Sequence, residues 1–110
     1  MPKLINIKSF KDKRGSLSFI ERQINFPIKR IYYIHNISGE RGGHKHKKTT
    51  QFFICLHGKV EITIEKNKTK KKYVLSTPQK GVLLYPSDWH IFKSLTKNSI
   101  VLVLASHKFS

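Results

Sequence analysis

The sequence predicts an all-β fold, an antiparallel sandwich or barrel, on three observations. The first is strict alternation: in "KVEITIE" (Lys59 to Glu65) Val60, Ile62 and Ile64 alternate with Lys59, Glu61, Thr63 and Glu65, the pattern of a strand with one buried face. The second is punctuation. The separators "RG", "HGK", "NKTK", "TPQKG", "YPSD" and "TKNS" recur every eight to twelve residues or so, as turns do between short strands. The third is that no helical period of useful length interrupts them.

Taken in order, "KLINIK" has a faint strand pattern, and "SLSFIE" and "KRIYYIH" have clear ones, β-branched or aromatic and bounded by turn signals. "GHKHK" is again faint. "QFFICLH", "KVEITIE", "KKYVLS", "GVLLY", "WHIFKS" and "SIVLVLA" complete the set. Between "KVEITIE" and "KKYVLS" the lysine-rich "EKNKTKKKY" reads as a hairpin tip held in water. Residues 1–110, with a mass of 12.8 kDa, are expected to form one domain that buries roughly two-thirds of its unfolded surface.

The apolar run Ile100 to Ala105 is far too short to span a bilayer, so no membrane association is expected. The opening "MPKLINIKSF" lacks the apolar core of a secretory signal. The single cysteine, Cys55, has no partner for an internal disulfide. Both features lead to an expected cytoplasmic location. Lys and Arg number 22 against 6 Asp and Glu, a formal charge of +16, which calls for a phosphate-bearing partner. Guanidinium grips phosphate in a two-pronged fork and ammonium does not, so Arg14, Arg30 and Arg41 are better ligand candidates than the lysines.

The stretch "GERGGHKHKKTTQFFICLHG" places His44 and His46 one residue apart, behind paired glycines. On a strand, residues two apart share a face at about 6.6 Å, so the imidazoles would project together. They could be metal ligands, acid–base groups or members of a basic surface beside Lys45, Lys47 and Lys48. The glycine pair argues against the last, since its backbone entropy is costly unless the chain must approach something closely. The spacing H-x-H-x4-Q-x6-G, from His44 through Gln51 to Gly58, resembles the first cupin motif, and Gly81, Pro86 and His90 of "GVLLYPSDWHIF" resemble the second with shorter spacing. The resemblance implies a small single-domain cupin, a double-stranded β-helix or jelly-roll barrel. Metal-binding cupins usually carry glutamate where this sequence has Gln51. Without that carboxylate, in so cationic a chain, neither a metal nor any other cofactor is expected.

A closer resemblance lies in "DKRGSLSFIE", "PIKRIYYI", "RGGHKHKKTTQFFICLHG" and "VLAS", which together are similar to the dTDP-sugar 3,4-ketoisomerases, the WxcM-like cupins. The resemblance implies conversion of dTDP-4-keto-6-deoxyglucose to a dTDP-3-keto-6-deoxyhexose in deoxysugar biosynthesis, without metal and by a homodimer. It places His44 and His46 on the family's essential histidine pair, Arg41 on the preceding arginine and Tyr32 on the active-site tyrosine. It also implies a longer acidic and aromatic tail than the one ending at Ser110, and N-terminal strands exchanged between subunits, with "KLINIKSF" as the segment exchanged here.

These residue types suit that chemistry. A C4 ketone acidifies the C3 hydrogen, and imidazole can take and return protons near neutrality. His44 is assigned as the carbon base, His46 as its acid–base partner and Tyr32 as the group moving a proton between sugar oxygens. Arg30 shares a strand face with Tyr32 and could reach the pyrophosphate, with Arg14 and Arg41 as further phosphate ligands. Gln51 is grouped with the substrate-binding residues. It could hydrogen-bond the histidine pair or satisfy itself across the sheet. Tyr33 is read as packing, Trp89 as core, His35, His57 and His107 as surface, and Cys55 as buried and inert. Two rival readings are a non-catalytic sugar-nucleotide-binding cupin and a basic nucleic-acid-binding β-barrel. The second would show steep salt dependence, and no zinc-finger, RNP or helix-turn-helix signature supports it.

Overall fold

A computed structural model describes residues 2–44 and 47–108, with His44 described through its backbone alone. Among the described residues the chain forms β1 (Lys3–Asn6), β2 (Lys8–Asp12), β3 (Gly15–Phe19), β4 (Arg30–Ile34), β5 (Glu40–His44), β6 (Gln51–His57), β7 (Val60–Lys66), β8 (Thr69–Leu75), β9 (Lys80–Leu84), β10 (Trp89–Ser94) and β11 (Ile100–Ala105). No described helix is long and apolar enough to cross a membrane. The strands pair antiparallel in a five-stranded sheet, β1-β9-β6-β11-β4, a four-stranded sheet, β5-β10-β7-β8, and the separate hairpin β2-β3.

The faces follow the alternation. From the four-stranded sheet Val60, Ile62, Ile64, Leu75 and Phe92 point inward, and from the five-stranded sheet Phe53, Cys55, Val82, Leu84, Val101 and Val103 meet them in one buried core. The other face of the five-stranded sheet is half covered. The irregular segment after β3 lays Ile20, Ile24 and Phe26 over Phe52, Ile54, Leu83 and Leu104, with Ile7 buried beside them. That second layer explains why "QFFICLH" reads as a near-continuous apolar run, because its first five residues are buried on both faces. Beyond the layer's reach, Ile31 and Tyr33 on the edge strand β4 stay 63% and 65% exposed, so Tyr33 packs against the His35 ring, with centroids 5.6 Å apart, and not into the core.

Two local features bear on the site. The β7–β8 hairpin closes through Asn67 and Lys68, both at positive φ, the backbone of a two-residue turn whose twist matches the strands. On β5 the glycines have a steric reason. His90 pairs with His44 and Ile91 with Gly42, which leaves Gly43 as a bulged residue at φ +80°. A Cβ on Gly42 would stand 2.8 Å from the His90 carbonyl oxygen, so only glycine fits against β10 there.

The strand β2 was not anticipated, because "KSFKD" buries almost nothing and so has no burial pattern to read. β5 begins earlier than "GHKHK" suggests, at Glu40, while Lys45 and His46 lie outside the described residues. "KLIN" lies in the chain's own sheet, with Leu4 opposite Val82 and Ile5 opposite Gly81.

Candidate active site

Three adjacent strands build the floor. On β11, Ala105 stands opposite Gln51 of β6 on one side and opposite Arg30 of β4 on the other, while Val103 stands opposite Phe53 and Tyr32. Ala105 is fully buried and carries only a methyl group. Two longer polar side chains can therefore lean over it from either flank. They do: Gln51 Nε2 donates to the Tyr32 hydroxyl at 2.9 Å, and the Arg30 guanidinium carbon sits 4.3 Å from the centroid of the Tyr32 ring. Backbone bonds beyond the strand ends hold this corner, with Ser106 N donating to Thr50 O at 3.0 Å and Lys29 N to Ala105 O at 2.9 Å.

Burial pushes the Tyr32 phenol above its usual pKa, and the Arg30 charge, the Gln51 hydrogen bond and the Arg41 charge each pull the other way. The phenol keeps its proton at neutral pH and can give it to a neighbouring oxygen.

The four-stranded sheet supplies the facing wall. His90 is buried, and its ring meets Phe53 edge to face with centroids 5.5 Å apart. Phe53 lies two residues from Gln51 on the same strand face, so β6 carries both the polar corner and the ring that backs His90. His90 Nδ1 lies 3.4 Å from the Asp88 carbonyl oxygen. In the β5–β10 ladder, His44 stands opposite His90 and Arg41 opposite Phe92.

The described structure thus joins Tyr32, Arg30 and Gln51, with Arg41 near enough to act on the phenol's charge. His44 is placed by its backbone register, and His46 falls outside the described residues. Arg14 is not brought to this group. It sits at the β2–β3 turn, exposed, with Nη2 2.6 Å from Asp12 Oδ2 and its own N–H on Asp12 Oδ1 at 2.8 Å. Trp89 is half-buried beside Gly43 on the outer side of β10, so it is not core. His90 was legible only as part of the second glycine–proline–histidine motif. Its burial against the Phe53 ring makes it part of the site wall. Among the described residues no group of three His, Cys, Asp or Glu side chains is placed to hold a metal ion, a statement that leaves out the His44 side chain and His46. Gln51, at the usual carboxylate position, is engaged with Tyr32.

Fold and site together define a small cupin-type β-barrel whose phenol, amide and guanidinium meet across β11, with a buried histidine on the facing sheet against Phe53. A family model described as "FdtA: WxcM-like, C-terminal" matches residues 1–110, and the chain belongs to that family. It is an isomerase by class. Over 108 residues it is 38% identical to the TDP-4-oxo-6-deoxy-alpha-D-glucose-3,4-oxoisomerase of Aneurinibacillus thermoaerophilus, covering 94% of this chain and 78% of that protein. It superposes on QdtA, a sugar 3,4-ketoisomerase from Thermoanaerobacterium thermosaccharolyticum in complex with TDP, with a TM-score of 0.95 at 37% identity, over 99% of this chain and 82% of the other. A histidine-to-asparagine mutant of QdtA in complex with TDP-4-keto-6-deoxyglucose matches with a TM-score of 0.95 at 36% identity, with the same coverage of 99% and 82%.

Proposed function

We propose that this chain converts dTDP-4-keto-6-deoxyglucose to a dTDP-3-keto-6-deoxyhexose by histidine acid–base catalysis through an enediolate. The observation that carries the reading is the Tyr32–Gln51–Arg30 group over Ala105, on the strands flanking β11, in a chain whose relatives are named for this isomerisation. His44 takes the proton from C3, the electron pair forms the C3=C4 bond, and the C4 oxygen becomes an oxyanion. Tyr32 gives that oxygen its proton and recovers one from the C3 hydroxyl. As the C3 carbonyl forms, C4 takes a proton from the His44–His46 pair, which holds the one removed from C3 and exchanges it with solvent. Two hydrogens have then moved and no external oxidant or reductant is needed. Arg30 and Arg41 supply positive charge beside the site for the pyrophosphate and the developing oxyanion. Arg14 is kept as a phosphate ligand only if a second subunit brings a site to its hairpin.

The test is incubation with dTDP-4-keto-6-deoxyglucose in deuterated water, with the product read by NMR. Deuterium at C4 of a 3-keto product is expected. His44→Asn should abolish conversion while leaving dTDP affinity within a few fold, and His46→Asn should lower conversion too. No product from the parent protein, with dTDP still bound, would make it a non-catalytic sugar-nucleotide-binding cupin. An equal loss of nucleotide affinity in both mutants would make the pair a binding or folding element.

A further inference from the structure

The Gln51 side chain is buried, yet its strand neighbours Phe52, Phe53 and Ile54 are apolar and equally buried. A buried amide needs hydrogen-bond partners, and among the described residues the geometry gives its Nε2 the Tyr32 hydroxyl, reached over the Ala105 methyl. The direction of that bond has a chemical consequence. A phenol oxygen that accepts from an amide N–H must aim its own hydrogen elsewhere. The Arg30 guanidinium lies against the ring, where it limits the phenol's movement without offering an acceptor. The hydroxyl hydrogen is therefore turned away from both neighbours.

We infer that Gln51 is a positioning residue, one that binds no substrate itself but holds Tyr32 with its proton directed at the sugar oxygen that accepts it. This rests on the proposed isomerisation and reassigns Gln51 from the substrate-binding set. Among the described residues the charged groups acting on the phenol are Arg30 on its own strand and Arg41 on β5. The amide N–H also favours phenolate over phenol, so its loss moves the phenol's titration upward.

The experiment is a double-mutant cycle between Gln51→Leu and Tyr32→Phe. Tyr32→Phe should lower kcat about 100-fold, in the range of one general acid–base group. Gln51→Leu should lower kcat about tenfold, a loss of the size of one hydrogen bond, with KM within about threefold. The double variant should be no slower than Tyr32→Phe alone. Gln51→Glu keeps size and polarity should leucine prevent folding. Its carboxylate accepts a hydrogen bond from the phenol O–H instead of donating one, which turns that hydrogen away from the sugar, so it too should be slow. Losses that multiply, an unchanged kcat, or a change confined to KM would each overturn the inference. A second readout does not depend on turnover: ultraviolet titration, with Tyr32→Phe as the blank, should show the Tyr32 phenol ionising at higher pH in Gln51→Leu than in the parent. If the parent turns over no dTDP sugar yet that shift appears, the proposed reaction fails and the contact stands. If the shift is absent, the inference fails whatever the activity.

Discussion

The backbone carbonyl of Asp88 lies 3.4 Å from Nδ1 of His90, so the turn that precedes β10 also orients the buried histidine. The Asp88 carboxylate fastens that turn. Its Oδ2 accepts from Tyr85 N at 2.9 Å, and its Oδ1, which has no hydrogen-bond partner among the described residues, lies 3.8 Å from Lys66 Nζ. Asp88→Ala leaves the Tyr85 N–H unsatisfied and should cost about 1–3 kcal/mol in urea denaturation. Asp88→Asn keeps an acceptor and should cost less. Equal losses would assign the effect to the Lys66 charge instead of the turn.

Cys55 is buried and its Sγ donates to His57 O at 3.2 Å. Burial raises its thiol pKa, as it raises the Tyr32 phenol. Both folded values lie above the unfolded ones, so the unfolded chain loses these protons first. Their contribution is fully present below the ordinary thiol range and is lost as pH rises through it and then through the phenol range. Denaturation midpoints should therefore fall from neutrality into the alkaline range, less steeply in Cys55→Ala. A thiol reagent should be silent on the native protein and react stoichiometrically after unfolding. Rapid native labelling would contradict the burial.

The lysines of the β7–β8 hairpin belong to solvent. Lys70, Lys71 and Lys72 are exposed, and Lys72 Nζ lies 3.9 Å from Glu61 Oε1 across the strand pair. Replacing the three with Gln should leave dTDP-sugar affinity within about twofold, since exposed pairs contribute little. A large loss would move the nucleotide site to that tip, and steep loss of nucleic-acid binding would revive the rival reading.

Metal removal should not stop turnover. Gln51 stands where metal-binding cupins carry a carboxylate, and it offers a neutral amide whose nitrogen donates to Tyr32. Activity should survive prolonged chelation, and elemental content should be well below one transition metal per chain. Stoichiometric zinc, iron or manganese whose return restores activity would overturn this.

We propose that the protein works as a homodimer. Ile31 and Tyr33 form an exposed apolar strip on β4, an edge strand whose free N–H and C=O groups also need cover. Phe10 and Leu17 expose a second strip on the β2–β3 hairpin. Sedimentation at micromolar concentration should give about twice the 12.8 kDa chain mass. Ile31→Glu with Tyr33→Glu should shift it towards monomer if β4 is the interface. A persistent dimer would point to the hairpin, and a monomeric parent would remove the proposal.

Much of this molecule is written in short-range pattern. Alternation in "KVEITIE" determined β7 and its buried face, Asn67 and Lys68 marked a turn, and the paired glycines signalled a close approach. These signals are local because a strand's period and a turn's φ depend only on adjacent residues. What the approach was to, the His90 carbonyl, became visible only when β5 and β10 were side by side. The same limit left β2 unread, since a strand that buries nothing leaves no hydrophobic trace. It also left the Gln51 partner open. Gln51 and Tyr32 are nineteen residues apart in sequence, and nothing near either one says that β11 lies between them or that a methyl group there leaves room for their contact. Arg14, by contrast, looked equivalent to Arg30 in sequence, and only the placement of its hairpin outside the two sheets separated them. Periodicity determines which side of a strand faces inward. Which strands become neighbours, and so which polar side chains meet, is decided by the packing of the whole barrel.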